Sequence, residues 1–182
     1  MPGDGGATAA SVLLNEYERI KDEQKSRIGF RDNLIYATLA SMALVVGAAL
    51  QGNGNSAMLV LMPPVALLLG WTYVVNDEKI SAIGRYVRTD LGPRLAELVE
   101  GLDEPFGWET AHRSDRRRLS RKYLQLLIDL LLFCVAPAAA LVVYWSVGPV
   151  HAPVLIVSLV ETAALAVLAF EIVRYADLQK GR

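Results

Sequence analysis

With 182 residues, 53% of them hydrophobic, and a formal net charge of −1, the chain is apolar enough for a large core and has no bulk charge to attract nucleic acid. Its single cysteine excludes an intramolecular disulfide, and its two histidines leave no Cys/His metal spacing. The near-zero charge conceals a segregation: none of the 18 basic residues falls within the apolar runs 34–50, 57–75, 124–145 and 153–173.

A bilayer core about 30 Å thick is crossed by about 20 helical residues, the length of these runs. Backbone amides left unpaired in lipid are too costly, so each run must be helical. Five basic residues precede the first run, ten lie between the second and third, and three follow the fourth. The connections 51–56 and 146–152 carry no Asp, Glu, Lys or Arg. Basic loops stay on the cytosolic side, so this pattern predicts cytosolic termini and two outward-facing hairpins. The expected architecture is all-α: a four-helix transmembrane bundle with cytosolic amphipathic helical extensions. The divisions are 1–33, a cytosolic tail and helix; 34–75, the first hairpin; 76–122, a cytosolic helical connection; 123–174, the second hairpin; and 175–182, a cytosolic tail.

In chain order, residues 1–10 are rich in Gly and Ala and read as a disordered tail. Residues 11–32 read as a charged amphipathic helix whose face is Leu13, Tyr17, Ile20, Gln24 and Ile28. Glu16/Arg19, Arg19/Glu23 and Glu23/Arg27 add helical charge pairs. No proline interrupts residues 11–50, so one long helix is expected, its spanning half serving as an uncleaved signal-anchor. Met62-Pro63-Pro64 predicts a kink in the second span, and Pro137 one in the third. Tyr36, Trp71, Tyr73, Tyr123 and Tyr175 suit an inner aromatic belt, and Tyr144 and Trp145 an outer one. Small residues Ala37, Ser41, Ala43, Gly47, Ala136 and Ala140 suit close helix approach.

The connection 76–122 keeps a helical apolar stripe through Ile80, Ile83, Val87, Leu91, Leu95 and Leu98. Gly92-Pro93 should bend or restart it, and residues 101–108 read as a loop. Residues 110–122 read as a basic helix entering the third span. Its Arg113, Arg116, Arg117, Arg118, Arg121 and Lys122 are candidates for contact with anionic lipid at the cytosolic leaflet. The plainer role of that run is to fix orientation during insertion.

Three carboxylates lie inside the spans. Glu161 sits about 12 Å from the outer end of the fourth. No span offers it a Lys or Arg, so it is either protonated and hydrogen-bonded locally or facing water or a cation. Asp129 lies about 9 Å into the third span, and Glu171 about one turn inside the fourth. Together they would line a cation vestibule; separately, Asp129 and Glu171 would pair with Arg121, Lys122 or Arg174. At the cytosolic base, Arg31 facing Asp77 or Glu78 would form a charge collar, the plain alternative being solvated interfacial charges.

No catalytic constellation is visible. His112 and His151 fall on opposite membrane sides, and there is no phosphate-binding Gly loop or nucleophile elbow. The expectation is no enzyme, no cofactor, no metal and no nucleic acid.

Two stretches, residues 18–39 (ERIKDEQKSRIGFRDNLIYATL) and 70–88 (GWTYVVNDEKISAIGRYVR), resemble uncharacterised integral membrane proteins common in actinobacteria. More distantly, spans joined to charged cytosolic helices are similar in architecture to SLATT-type and four-span membrane effectors of bacterial conflict systems. The SLATT type has two spans and this chain has four. The first resemblance covers roughly the amino-terminal half and brings no activity with it; the second, one of architecture alone, is in keeping with the expectation of an oligomeric membrane effector or sensor with a cytosolic protein partner. Residues alone leave open a small proton- or cation-coupled carrier using Glu161 and Asp129, and a scaffold that transports nothing.

Overall fold

A computed structural model describes residues 3–51, 56–99, 102, 105–107, 118–147 and 151–176. The described residues are helical, without strands. Helix α1 (Gly3–Leu50) is one rod of 48 residues. A 3-10 turn (Ser56–Leu61) leads into α2 (Met62–Tyr86), and a π turn (Val87–Leu91) joins α2 to α3 (Gly92–Leu98). Helix α4 (Arg118–Leu130) passes through a second π turn (Leu131–Val135) into α5 (Ala136–Val147). Helix α6 (Ala152–Tyr175) completes the bundle. Four of the resulting helical rods are long and apolar enough to cross a membrane, the pattern of a multi-pass membrane protein.

Helix α1 starts at Gly3, so the expected disordered tail is corrected: Ala7, Ala9 and Ala10 are strong helix formers. Its less exposed face runs through Leu13, Tyr17, Ile20, Gln24, Arg27 and Arg31, then continues through Leu34, Thr38, Met42, Val45 and Ala49. The steps are of three or four residues, alternating except for two successive fours at Leu34, Thr38 and Met42, the spacing that keeps one helix facing another over many turns. The sequence reading left this seam at Ile28, because Ile28 is apolar and Arg27 is not. In the structure Ile28 is exposed and Arg27 holds the seam position.

The antiparallel partner of α1 is α2 with its continuations. One apolar cluster joins Leu34, Tyr73, Val74, Phe133, Leu168 and Ile172. A second, farther along the rods, joins Met42, Met62, Ala66 and Ala140. Thr38 is fully buried between them and gives its hydroxyl proton to Leu34 O at 2.7 Å, so its hydroxyl is not stranded.

The prolines act differently from the expected mid-helix kinks. Pro63 stands in the first turn of α2, where its missing N–H breaks no hydrogen bond, and the preceding 3-10 turn absorbs the geometry. Each π turn ends immediately before a residue-proline pair, Gly92-Pro93 or Ala136-Pro137. There Gly92 N–H bonds Val87 O and Ala136 N–H bonds Leu131 O, one residue farther back than in an α-helix. A proline ring collides with the carbonyl four residues before it; widening the preceding turn moves that carbonyl away and keeps the rod intact.

The small-residue expectation holds in the third span, where Ala140 is buried with Met42, Met62 and Ala66 and Ala136 packs against them, and is corrected in the first. Ala37 and Ala43 are exposed, and a Cβ on Gly47 would meet nothing within 4 Å. The close approach is at Gly70, where a Cβ would lie 2.9 Å from Leu168 Cδ2 and 2.9 Å from Phe133 Cδ1. Tyr73 and Tyr144 are buried rather than belt residues, whereas Tyr36, Trp71, Tyr123 and Tyr175 stay exposed. Gly70→Ala is therefore expected to lower stability by about 1–2 kcal/mol, an overpacking cost only partly offset by better helix propensity. Gly47→Ala should be neutral or stabilising by up to about 1 kcal/mol. Unfolding midpoints of the two variants in one detergent check this, and equal midpoints would contradict the packing described.

Candidate functional site

Where α1 and α2 leave the apolar clusters, their seam becomes polar. Arg31 Nη1 donates to Asp77 Oδ1 at 3.0 Å, and Arg31 Nη2 lies 3.4 Å from Asp32 Oδ1. One turn outward, Asn76 Nδ2 donates to Arg27 O at 2.7 Å, while Arg27 Nε donates to Glu23 at 2.8 Å. Gln24 Nε2 then reaches Ile80 O at 3.1 Å. These residues take the seam positions because the helices continue in register; the side chains change from apolar to polar and the packing geometry does not.

Arg31 and Asp77 are both mostly shielded, with side-chain exposures of 23% and 18%. Burial opposes the guanidinium charge, but the hydrogen bond and negative charge of Asp77 outweigh it and hold the Arg31 pKa above its usual value. Of the two expected partners, Asp77 makes the contact. Glu78, one residue on and turned about 100° around the helix, makes no hydrogen bond or ion pair with a described residue.

The seam is clasped again farther out. Tyr86 donates its hydroxyl proton to Glu16 at 2.7 Å, and that bond holds the Tyr86 pKa above its ordinary value. The Tyr17 and Phe106 rings stack with centroids 4.0 Å apart. Phe106 adopts φ 63°, a left-handed conformation unusual for an aromatic residue, and the stack holds it there. Pro105 lies over Gly92, so this short segment binds the start of α3 to α1.

Toward the membrane, the collar adjoins a polar stripe on α4. Arg121, Gln125 and Asp129 recur every four residues on one face. Gln125 Nε2 donates to the Tyr73 hydroxyl at 3.2 Å. Tyr73, Gln125 and Asp129 form a partition between two clefts. One cleft also includes Asp77, Lys122 and Tyr175; the other includes Arg31 and Arg121. Asp129 is only 7% exposed yet lines both. On sequence alone Tyr73 falls in an interface belt and Gln125 has no assigned role; the four-residue spacing from Arg121 to Gln125 to Asp129 is the signal that marks it.

The other candidates are dispersed. Glu171, itself mostly shielded, pairs with the exposed Arg174 at 3.5 Å one turn on along α6. Glu161 falls on the inward face of α6 with Ser158, Leu165, Leu168 and Ile172. It is 9% exposed, and its Oε2 has no hydrogen-bond partner among the described residues. The local hydroxyls are committed elsewhere: Ser158 Oγ donates to Leu155 O and accepts from Trp145 Nε1 at 3.0 Å, and Thr162 donates to Ser158 O. The three carboxylates form no common ring among the described residues, and no group of three or more metal-binding side chains is found there. Arg113, Arg116, Arg117 and the side chain of Arg118 lie outside the described residues.

Comparison with protein-family models, curated proteins and solved structures finds no match to this chain.

Arg31→Asp should destabilise the protein by about 2 kcal/mol, the scale of a charge-assisted hydrogen bond. Adding Asp77→Arg should restore most of the loss, and adding Glu78→Arg should not. Thermal unfolding of the three variants in detergent checks the order. Equal rescue by both second changes would show that net charge, not the Arg31–Asp77 contact, matters.

Proposed function

We propose that the chain is an oligomeric effector or sensor of a bacterial plasma membrane, with both termini cytosolic. The observation that carries this reading is the uninterrupted α1 seam. One rod runs from the cytosolic extension into the bilayer and is clasped to α2 at Glu16–Tyr86, Gln24–Ile80 and Arg31–Asp77. A partner that tilts or separates the cytosolic helices would transmit that movement to the spans, because both lengths belong to the same helices. The basic residues beside the spans support the orientation, and Arg121 and Lys122 suit contact with anionic lipid. The resemblance to actinobacterial membrane proteins and conflict-system effectors agrees with this reading.

A second reading, a proton- or cation-coupled carrier, is favoured by one observation: the buried Glu161 oxygen without a partner. Liposome flux separates the two. In the effector reading, protein-dependent ion leak changes several-fold when the collar is broken by Arg31→Asp and is unaffected by Glu161→Gln. In the carrier reading, Glu161→Gln abolishes flux. No flux from any variant, with or without cytosolic extract, would refute both and leave a scaffold.

Orientation has its own check. In a Cys134→Ser background, Ser146→Cys should react with a membrane-impermeant maleimide on intact cells. Ser26→Cys should react only after permeabilisation, and the reverse pattern would overturn the topology.

A further inference from the structure

A groove opens sideways between α1 and α4 at the collar end of the bundle. These two helices share no extended packing, since α1 keeps to α2 and its continuations. The mouth of the groove is formed by Arg31 on α1 and Arg121 on α4. Its walls are Ile35, Leu124 and Ile128, and Tyr73 and Gln125 form its floor. Leu124 and Ile128 belong to an exposed apolar face of α4 that continues through Leu127 and Leu131. The groove therefore opens toward hydrocarbon, not into water.

Its polarity is graded along the bundle axis. From Arg121 to Ile128 is about 10 Å along the helix, so guanidinium groups stand at one end and branched aliphatic side chains at the other. A ligand with an anionic head and an apolar chain matches that gradient. Guanidinium forks suit phosphate oxygens in particular. Asp77 engages Nη1 and Asp32 Nη2 of Arg31, and Arg121 has an interaction of its own; the five N–H donors of a guanidinium allow a phosphate at the mouth to share it with a carboxylate. Asp129, the carboxylate on this wall, lies two turns from Arg121, about 12 Å of rise along α4, so the phosphate takes the Arg121 end of the groove. The groove is open along its length and offers about 270 Å³, room for the head and the first part of one chain, the remainder lying in the bilayer.

We infer that this groove binds one anionic phospholipid, its phosphate held between Arg31 and Arg121 and an acyl chain lying along Ile35, Leu124 and Ile128. The effector reading bears on this only through the choice of leaflet. The bound lipid fills the space between α1 and the second hairpin, so it links the two halves of the bundle beside the collar. A zwitterionic choline head adds a positive charge at the mouth and binds less well.

The test is native mass spectrometry of the full-length protein in detergent, titrated with phosphatidylglycerol, phosphatidylcholine or glycerol 3-phosphate. One retained phosphatidylglycerol is expected, with phosphatidylcholine weaker and glycerol 3-phosphate failing to compete. Arg121→Gln should weaken retention about fivefold, the effect of one basic residue near a lipid head. Ile128→Trp fills the groove from an exposed position and should abolish retention without unfolding the protein. Equal retention of both lipids, or undiminished retention in Ile128→Trp, overturns the inference. Competition by glycerol 3-phosphate would show a head-only site, and a lipid-free dimer at all lipid concentrations would show a second copy in the groove; either also overturns it. Failure of the flux experiment leaves these outcomes unchanged, so the two ideas fall separately.

Discussion

The pairing of Arg31 with Asp77 sits where the α1–α2 seam passes from apolar to polar, and much of the molecule is organised around that layer. Below it the two helices meet through Leu34, Thr38 and Met42; above it they meet through Arg27, Gln24 and Glu16. A partly buried guanidinium without an anion would be costly, so the contact specifies which residues of the two rods lie opposite one another. A shift of one turn would place Asp77 against Leu34 or Arg27 and separate the Tyr86–Glu16 and Gln24–Ile80 contacts. The collar thus sets the register of an otherwise permissive apolar seam, as single polar residues do in coiled coils.

The two π turns serve the same continuity. A proline in a long rod ordinarily bends it and releases a carbonyl. Here the turn before Pro93 and the turn before Pro137 each contain one wider hydrogen-bonded step, which keeps Leu91, Leu95 and Phe133 buried. Phe133 lies within such a turn and packs at once against Tyr73 and the open side of Gly70. The widened turn, the missing side chain at Gly70 and the Tyr73 ring are therefore parts of one packing solution. Tyr73 carries it into the polar layer through Gln125.

Polar groups are distributed unequally between the two ends of the bundle. The collar end gathers Arg31, Asp77, Tyr73, Gln125 and Asp129 into connected contacts and clefts, with cationic side chains near every carboxylate. Toward the other end, Glu161 stands without such support, its neighbours Ser158 and Thr162 bound to backbone carbonyls. The proposed effector reading draws on the supported end, and the proposed carrier reading on the unsupported carboxyl. That contrast keeps the effector and carrier readings distinct in residue terms: one depends on Arg31 and the other on Glu161.

The sequence by itself determined the all-α class and the four spanning helices, because length and hydropathy along one chain are enough once unpaired amides are forbidden in lipid. It also brought Arg31 and Asp77 to a common depth, since a hairpin between two rods of known length aligns their ends. Rotation about each rod was not legible. Ile28 and Arg27 are neighbours in sequence, and only the partner helix decides which faces inward; the same holds for Asp77 over Glu78 and Tyr73 over Trp71. The use of Gly70 rather than Gly47, and the meeting of Tyr73, Gln125 and Asp129, depend on which helices become neighbours. That choice belongs to the tertiary structure because a hydropathy run is symmetric about its own axis, while packing side chains against a partner removes the symmetry.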